Sequence, residues 1–201
     1  APPRSPARGD AARYARALEQ IQAGRARKGA SLLRVVAEQG LAPAQHRLAQ
    51  LYERGEGVSG DLARARQWAE RAAQAGHVQA MYALGLYCAR GEGGAKDEAT
   101  AFHWFRLAAG FGHRDSQFHL GRCYREGCGV RADADEALVW LLLAARQGDA
   151  AASGQAAEIA ATLSLARIEA AQARAGEFRP LAPDAAANEE TPQAGVRARR
   201  A

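Results

Sequence analysis

The chain contains no long apolar run and few of the residues that favour strands. None of its apolar stretches approaches the ~20 residues that a membrane-spanning helix requires, and aromatic residues make up only 6% of its 201 residues. Valine, isoleucine and threonine are scarce, whereas alanine is abundant throughout. Because alanine favours helices while β-branched and aromatic residues favour strands, the composition predicts an all-α protein with no membrane span.

Lysine is also nearly absent, since 25 of the 27 basic residues are arginine. These arginines are spread along the whole chain and interleaved with 22 acidic residues. Proteins that bind nucleic acid usually concentrate their basic residues in a patch or a stripe. Despite the net charge of +5, we therefore expect no nucleic-acid partner.

Cysteine is limited to Cys88, Cys123 and Cys128. An odd number excludes a complete set of intramolecular disulfides, although one bridge and one free thiol are possible. The chain begins at Ala1, and its first eight residues are proline-rich with no apolar core. We expect either that a signal peptide has been removed, which favours a secreted or periplasmic chain, or that a domain has been cut from a longer protein.

The strongest pattern in the sequence is an internal repeat with a step of 36 residues. Nine columns recur with this step: Gly40, Gly76, Gly112 and Gly148; Leu48, Leu84 and Leu120; Gly55, Gly91 and Gly127; Gly57, Gly93 and Gly129; Asp61, Asp97 and Asp133; Ala65, Ala101 and Ala137; Trp68, Trp104 and Trp140; and the two columns of the alanine pairs that begin at Ala72, Ala108 and Ala144. A period of this length is typical of stacked helical repeats.

Each repeat is predicted to contain a first helix, helix A, over residues 44–54, 80–90 and 116–126, where small and apolar residues share one helical face. Gly85 and Gly121 lie in the middle of that face. Glycine in a helix costs about 0.5–1 kcal/mol relative to alanine, so we expect a neighbouring helix to approach too closely there for a side chain.

A second helix, helix B, is predicted after the Gly-x-Gly turn that ends helix A. Asp61, Asp97 and Asp133 stand at its N-cap, where a carboxylate can accept hydrogen bonds from free backbone amides. The tryptophan column shares a helical face with the alanine pair that follows. We therefore predict Trp68, Trp104 and Trp140 as core anchors.

The third repeat carries Leu120, Gly121, Tyr124, Gly127, Gly129, Val130, Asp133, Ala137, Trp140 and Ala144. With these residues it resembles a Sel-one-like repeat, a relative of the tetratricopeptide repeat, and the resemblance extends over residues 41–148. Three positions depart from the pattern: Gly94 replaces a valine, Cys88 a tyrosine and Ala49 a glycine. The resemblance implies an α-solenoid, that is an α/α superhelix, of about four stacked helix-turn-helix repeats, and together with the arginine and alanine bias it favours a bacterial source.

The domain prediction follows from where the repeat pattern fades. Residues 1–9 are expected to be disordered, and a helical-repeat solenoid is expected over 10–178. Within it we predict a degenerate hairpin over 11–40, full repeats over 41–76, 77–112 and 113–148, and capping helices over 149–178, the last of them capped by Ser164. From 179 to 201 the sequence has no periodicity, so a disordered tail is predicted.

The resemblance also implies a binding surface, because related repeats bind partners on a concave face lined by helix A. Carrying over the exposed positions gives the predicted partner-binding residues His46, Gln50, Arg54, Tyr82, Leu86, Arg90, Phe118, Arg122 and Arg125. His46, Tyr82 and Phe118 form a stripe of rings one period apart, which either binds a partner or packs against the next repeat. The arginines around them favour an acidic or carboxylate-ended peptide.

Catalytic signatures are missing from the sequence: it has no phosphate-binding loop, no His-Glu-x-x-His and no Gly-x-Ser-x-Gly. His119, Cys123 and Cys128 form at most half of a metal site, because a structural zinc needs four ligands. We expect no enzyme activity, no metal and no cofactor. Some cysteine-rich members of the resembled family are described as penicillin-binding or β-lactamase proteins, but this chain lacks their paired cysteines.

The function expected from the resemblance is that of a scaffold or adaptor that binds a partner protein or peptide. One alternative is a specific inhibitor or immunity-type protein that grips one folded partner. A β-lactam-binding or β-lactam-hydrolysing enzyme is the other alternative. The sequence does not separate a one-to-one inhibitor from a scaffold that holds short peptides.

Overall fold

The structure is a computed structural model that describes residues 8–188, and within them every regular element is a helix. The helices are α1 (Arg8–Gln22), α2 (Ala26–Glu38), α3 (Ala42–Arg54), α4 (Leu62–Gln74), α5 (Val78–Arg90), α6 (Glu98–Gly110), α7 (Arg114–Glu126), α8 (Ala134–Arg146), α9 (Ala150–Ala160), α10 (Leu165–Glu177) and α11 (Ala185–Asn188). None of these helices is long and apolar enough to cross a membrane. The predicted all-α repeat fold is confirmed.

The described residues divide into two compact units, of which the first holds residues 8–77 and 184–188. In its described part α1 pairs with α2, α3 pairs with α4, and α2 packs on α3 between the two hairpins. The interior is formed by Leu33, Val36, Leu48 and Leu51, each with no exposed surface. Burial of a leucine side chain contributes about 1.5–3 kcal/mol, so these residues hold the two hairpins together.

The second unit holds residues 78–183. Here α5 pairs with α6, α7 pairs with α8, and α6 packs on α7; α9 and α10 both pack on α8. Leu138, Leu141 and Ala144 of α8 form one apolar cluster with Ile159 of α9 and Ala171 of α10. The last two helices therefore cover the outer face of α8, as capping helices must.

The helix boundaries follow the predicted turn and cap residues. Helices α3 and α7 end at Gly55 and Gly127, both in the left-handed conformation. Asp61, Asp97 and Asp133 accept hydrogen bonds from backbone amides in the first turn of α4, α6 and α8, so the predicted caps are confirmed. Ser164 occupies the predicted N-cap position of α10, which begins at Leu165 as predicted, but its side chain forms no cap hydrogen bond.

The second glycine of the first and third Gly-x-Gly turns, Gly57 and Gly129, makes a close backbone contact that the sequence did not reveal. A Cβ atom on Gly57 would lie 2.3 Å from the carbonyl carbon of Ala26, and one on Gly129 would lie 2.1 Å from the carbonyl oxygen of Glu98. Ala26 and Glu98 are the first residues of α2 and α6, the B helices of the preceding hairpins. Each of these two turns therefore packs backbone to backbone on the hairpin before it, and only glycine fits there.

The close helix approach predicted at Gly85 and Gly121 is confirmed. A Cβ atom on Gly85 would lie 2.5 Å from Cε1 of Phe105, and one on Gly121 would lie 2.7 Å from Cγ of Leu141. In each hairpin the missing side chain of helix A thus makes room for a large residue of helix B. In the first full repeat the same two columns hold Ala49 and Ala69, both of them buried.

The predicted tryptophan anchors are wrong by one position. Trp68, Trp104 and Trp140 are all partly exposed, whereas the next residue in each helix is buried: Ala69, Phe105 and Leu141. Adjacent residues point about 100° apart on a helix of 3.6 residues per turn, and the glycine of helix A selects the second of the two. The tryptophans instead cover the edges of the hairpins; Trp68 lies beneath the guanidinium of Arg71 and Trp140 contacts Phe178.

The ends of the solenoid differ from the predicted disordered segments. Helix α1 begins at Arg8, so only residues 1–7 of the predicted N-terminal segment lie outside the described residues. Beyond α10, Leu181 N donates a hydrogen bond to Gly110 O within the second unit. Within the first unit α11 packs on α3, and Asn188 Nδ2 donates to Gly76 O. Residues 179–188 are thus held by backbone acceptors at helix ends, which periodicity cannot indicate, and 189–201 lie outside the described residues.

Candidate binding pocket in the second unit

The predicted binding residues are divided between the two units. His46, Gln50 and Arg54 lie on α3 in the first unit. Only 8% of His46 is exposed, because its ring packs 4.6 Å from that of His77, and Gln50 Nε2 lies 3.0 Å from His46 Nε2. The structure therefore places His46 in the interior, with Gln50 half-buried beside it, while Arg54 stays exposed at the end of α3.

Three of the predicted residues in the second unit, Leu86, Arg90 and Arg122, line one pocket of about 240 Å³. It lies between α5, α6 and α7, next to the turn that follows α7. Its remaining lining residues are Ala89, Lys96, Glu98, Ala101, Phe105, His119, Cys123, Glu126 and Cys128. Ala101, Phe105 and Cys123 are buried, so the floor is apolar, whereas the charged residues form the rim.

His119 is a polar group that lies against this apolar floor. Its ring stacks on Phe105 at 4.9 Å between centroids, with 15° between the planes, and lies 5.8 Å from the ring of Tyr82. Burial, together with the charges of Arg122 and Arg90, lowers the pKa of His119 to about 4. The ring is therefore neutral at pH 7 and carries one donor and one acceptor nitrogen. Among residues 8–188 nothing forms a hydrogen bond with either nitrogen.

The two predicted aromatic residues of the second unit have packing roles. Tyr82 is half-buried, with its ring 4.9 Å from His113 and 6.2 Å from Phe105. Burial raises the pKa of its hydroxyl. Phe118 packs against the apolar cluster of α8, α9 and α10, and it does not line the pocket. The ring of Phe118 therefore has a packing role, although the cluster includes α8 of its own repeat as well as the helices that follow.

The arginines around the pocket are paired with carboxylates. Arg122 lies 3.3 Å from Glu126, and Arg125 lies 3.1 Å from Glu126 and 3.4 Å from Glu158. Arg90 lies 3.6 Å from Glu92. Although burial acts to raise it, the pKa of Glu126 is lowered by hydrogen bonds from Arg122 and Arg125. Exposed pairs of this kind contribute about 0–1 kcal/mol each, so a ligand can displace them at little cost.

Both cysteines of the third repeat line the pocket as free thiols. Burial, with the charge of Cys128 as the next cause, raises the pKa of Cys123 to about 12. Burial and Glu98 also raise the pKa of Cys128. Neither thiol is therefore an activated nucleophile at neutral pH. In the part of the chain that the structure describes, no group of three or more His, Cys, Asp or Glu residues could hold a metal ion.

Sequence reasoning missed the contribution of α6 and the turn before it. Ala101, Phe105, Lys96 and Glu98 come from these segments, whereas the prediction took its residues from helix A alone. The signal for Phe105 was present, because a large residue one position after the tryptophan stands opposite the glycine of helix A. Lys96 and Glu98, 2.7 Å apart, had no comparable signal.

A second depression, of about 710 Å³, lies in the first unit between α2 and the turn after α3. Arg27, Arg34 and Arg64 line it together with Asp61 and Tyr52. Arg64 Nε lies 3.2 Å from Asp61 Oδ2, and Arg34 Nη2 donates a 3.5 Å hydrogen bond to Tyr52 Oη. None of the predicted binding residues lines this depression.

A protein built from tandem helical hairpins, with a small mixed pocket, belongs to the class of helical-repeat proteins. The family model of the Sel1 repeat matches residues 42–77, 78–110 and 114–149, just over half of the chain. The chain therefore belongs to the Sel1 repeat family, and the resemblance predicted from the sequence is confirmed. A search of curated proteins finds no match.

Two solved structures extend the comparison. A Sel1 repeat protein from Oxalobacter formigenes is 25% identical with a TM-score of 0.73, and the match covers 86% of this chain and 74% of that one. A protective antigen of uropathogenic Escherichia coli strains, which displays an SLR fold, is 28% identical with a TM-score of 0.67 over 75% of this chain. This chain spans only 33% of the length of the Escherichia coli protein. Both neighbours are bacterial proteins.

Proposed function

We propose that this chain is an interaction scaffold that binds a segment of a partner protein at the pocket between α5, α6 and α7. Sel1 repeat proteins are generally protein-interaction scaffolds and are typically not enzymes. The observation that carries the proposal is His119, a neutral ring without a hydrogen-bond partner among the described residues, held at an apolar floor of Phe105 and Ala101. Because His119 is only half-buried, water can satisfy its ring nitrogens in the free protein, and a peptide group of a bound partner can replace that water with a direct hydrogen bond.

The size of the pocket fits one side chain of the partner. Pockets for drug-sized ligands measure about 300–1,000 Å³, and this one has about 240 Å³. If an apolar side chain of the partner packs against Phe105, the adjoining peptide group of the partner lies beside His119. The anchor is thus an apolar residue, and its backbone provides the polar contact.

The rim gives the proposal its second part, a preference for a carboxylate next to the anchor. Arg122 forms an ion pair with Glu126, and Arg90 forms one with Glu92; both pairs are half-exposed. A carboxylate of the partner can replace Glu126 on Arg122 and form a charge-assisted pair. Leu86, Arg90 and Arg122 remain in the proposed site, and Arg125 borders it through its pair with Glu126. The buried His46 and the packed Tyr82 and Phe118 do not belong to it.

Pocket-filling variants test this proposal. A peptide library displayed on phage is selected on the wild-type chain, and the recovered peptides are measured by fluorescence anisotropy. We expect Ala89→Arg, which fills the half-buried wall, to reduce affinity at least tenfold, and Arg122→Ala to reduce it severalfold for peptides with a carboxylate. Arg131→Ala, an exposed arginine outside the pocket, is the matched control and should bind as the wild type does.

Equal affinity for wild type and Ala89→Arg, with unchanged helical circular dichroism, would contradict the proposal. The inhibitor or immunity-type alternative gives another result. A folded partner recovered from the host would bind one to one with nanomolar affinity while selected peptides fail to compete. The β-lactam alternative predicts turnover of a β-lactam above background, which a hydrolysis assay on the wild-type chain measures.

A further inference from the structure

Cys123 and Cys128 occupy the two ends of the turn that closes α7. Gly127, in the left-handed conformation at φ 77°, and the following Cys128 both donate their N–H groups to Cys123 O, at 2.8 and 3.1 Å. In a turn with this pattern, the residue that follows the glycine contacts the residue whose carbonyl accepts both hydrogen bonds. The backbone therefore brings the side chains of Cys123 and Cys128 to one side of the turn.

The same turn recurs without cysteines in the other repeats. Glu56 N donates to Leu51 O and Glu92 N donates to Tyr87 O, both at 3.0 Å. These residues stand one and two periods before Cys128 and Cys123. The turn geometry is thus set by the repeat and not by a bridge, and the third repeat alone has a thiol at both positions.

The two thiols also share their surroundings, since both line the pocket between α5, α6 and α7. Cys123 is 8% exposed at the floor, and Cys128 is half-exposed at the rim with its Sγ 3.9 Å from Glu126 Oε2. Cys88, the third cysteine, is 1% exposed and does not line the pocket. A small oxidant therefore reaches Cys128 first, and the thiol nearest to it along the turn is Cys123.

We propose that Cys123 and Cys128 form a reversible intramolecular disulfide in the pocket wall when a low-molecular-weight disulfide is the oxidant. The Cys128 thiolate attacks one sulfur of the oxidant, which releases one small thiol and leaves a mixed disulfide on Cys128. The Cys123 thiolate then attacks the Cys128 sulfur and expels the second small thiol. Two protein thiols lose two electrons and two protons, and the oxidant gains both as two thiols.

The raised pKa values of both thiols make this exchange slow at pH 7 and faster at pH 8.5, because only the thiolate attacks. The bridge replaces two S–H groups of the pocket with one S–S bond and ties a rim residue to the floor. This inference does not rest on the proposed function, because the bridge forms with or without a partner.

Trypsin provides a direct test, because Arg122, Arg125 and Arg131 place the two cysteines in separate fragments, 123–125 and 126–131. The folded chain is incubated with oxidised glutathione at pH 8.5, quenched with acid, unfolded, alkylated with N-ethylmaleimide and digested. We expect the two fragments joined, with a mass two hydrogens below their sum, and alkylation on Cys88 alone. Dithiothreitol should separate them.

Three variants sharpen the result. Cys88→Ser should keep the joined fragments, and Cys128→Ser should abolish them. Cys123→Ser should stop the reaction at the mixed disulfide, with glutathione on fragment 126–131. A wild-type chain that stops at that mixed disulfide, pairs either cysteine with Cys88, or dimerises through Cys128 overturns the proposal. Circular dichroism of each variant confirms that it is folded.

Discussion

Lowering the pH from 7 to 5 should destabilise the first unit through two buried histidines, His46 and His77. Their exposed fractions are 8% and 1%, and their rings lie 4.6 Å apart. Burial, followed by the nearby charges of His77 and Arg47, lowers the pKa of His46 to about 3. Burial lowers the pKa of His77 to about 4. Both rings are therefore neutral in the folded protein at pH 5.

The sign of the effect follows from the unfolded chain, in which a histidine has a pKa of about 6.5. Below that pH the unfolded state binds protons that the folded state does not, so stability is lost as the pH falls. The loss begins near pH 6.5 and continues until the folded pKa of about 4 or 3 is reached. Between pH 6.5 and 5 the free energy of unfolding falls by about 2 kcal/mol for each of these histidines, at 1.36 kcal/mol per pH unit.

The assay is urea unfolding at pH 7 and pH 5, followed by far-UV circular dichroism. His113 and His119 of the second unit, whose pKa values are also lowered mainly by burial, act in the same direction, so variants must isolate His46. In His46→Gln the difference in unfolding free energy between the two pH values should shrink by about 2 kcal/mol relative to wild type. Replacement of the exposed His103 by glutamine is the control. An undiminished pH difference in His46→Gln would refute the burial of a neutral ring at this position.

Three further predictions concern the repeat columns, each measured as the free energy of unfolding in urea. Gly85→Ala should destabilise the chain by about 1–3 kcal/mol because the new Cβ would lie 2.5 Å from the buried ring of Phe105. Adding Phe105→Leu to this variant should restore part of the lost stability. A neutral or stabilising Gly85→Ala would contradict the close approach. Gly129→Ala should cost more than Gly85→Ala, since its Cβ meets the backbone of Glu98 at 2.1 Å with φ at +71° and a backbone cannot move aside as a side chain can; Gly154→Ala, with nothing within 4 Å, is the control. Asp97→Ala should cost about 1 kcal/mol through loss of the cap hydrogen bonds to the N–H and hydroxyl of Thr100, and Asp97→Asn should retain most of that stability.

Much of the fold could be predicted because each turn, cap and helix-contact residue recurs in three repeats. The 36-residue step predicted the positions of the A and B helices, and the aspartate column predicted where α4, α6 and α8 begin. The glycine column of helix A predicted close contact correctly, since no other reason favours glycine within a helix. The error at the tryptophans arose because periodicity assigns a face about 100° wide, and two adjacent residues both fit it. The partner helix decided between them.

The candidate site was less predictable because its residues lie in different elements. Helix A supplied Leu86, Arg90 and Arg122, which the exposed positions of the family imply. Phe105 came from α6 and Cys128 from a turn, and their convergence on one pocket depends on how α6 packs against α7. The burial of His46 needed His77, which is 31 residues away and outside the helix A pattern. One of the arginine ion pairs could be predicted from the sequence, because Arg122 and Glu126 stand at positions i and i+4 of a helix.

Some positions of the repeat hold the same residue in every repeat and others do not, and the pocket is built from both kinds of position. Phe105 lies against the recurring glycine of helix A, so the floor exists because the hairpin must close tightly at Gly85. His119, Cys123 and Cys128 stand where the preceding repeat has Ala83, Tyr87 and Glu92, and all three line the pocket. Residues that do not recur have thus gathered in one repeat and at one surface. The repeating residues account for the shape of the pocket, whereas its hydrogen-bonding ring and its thiols come from residues that the fold alone does not require.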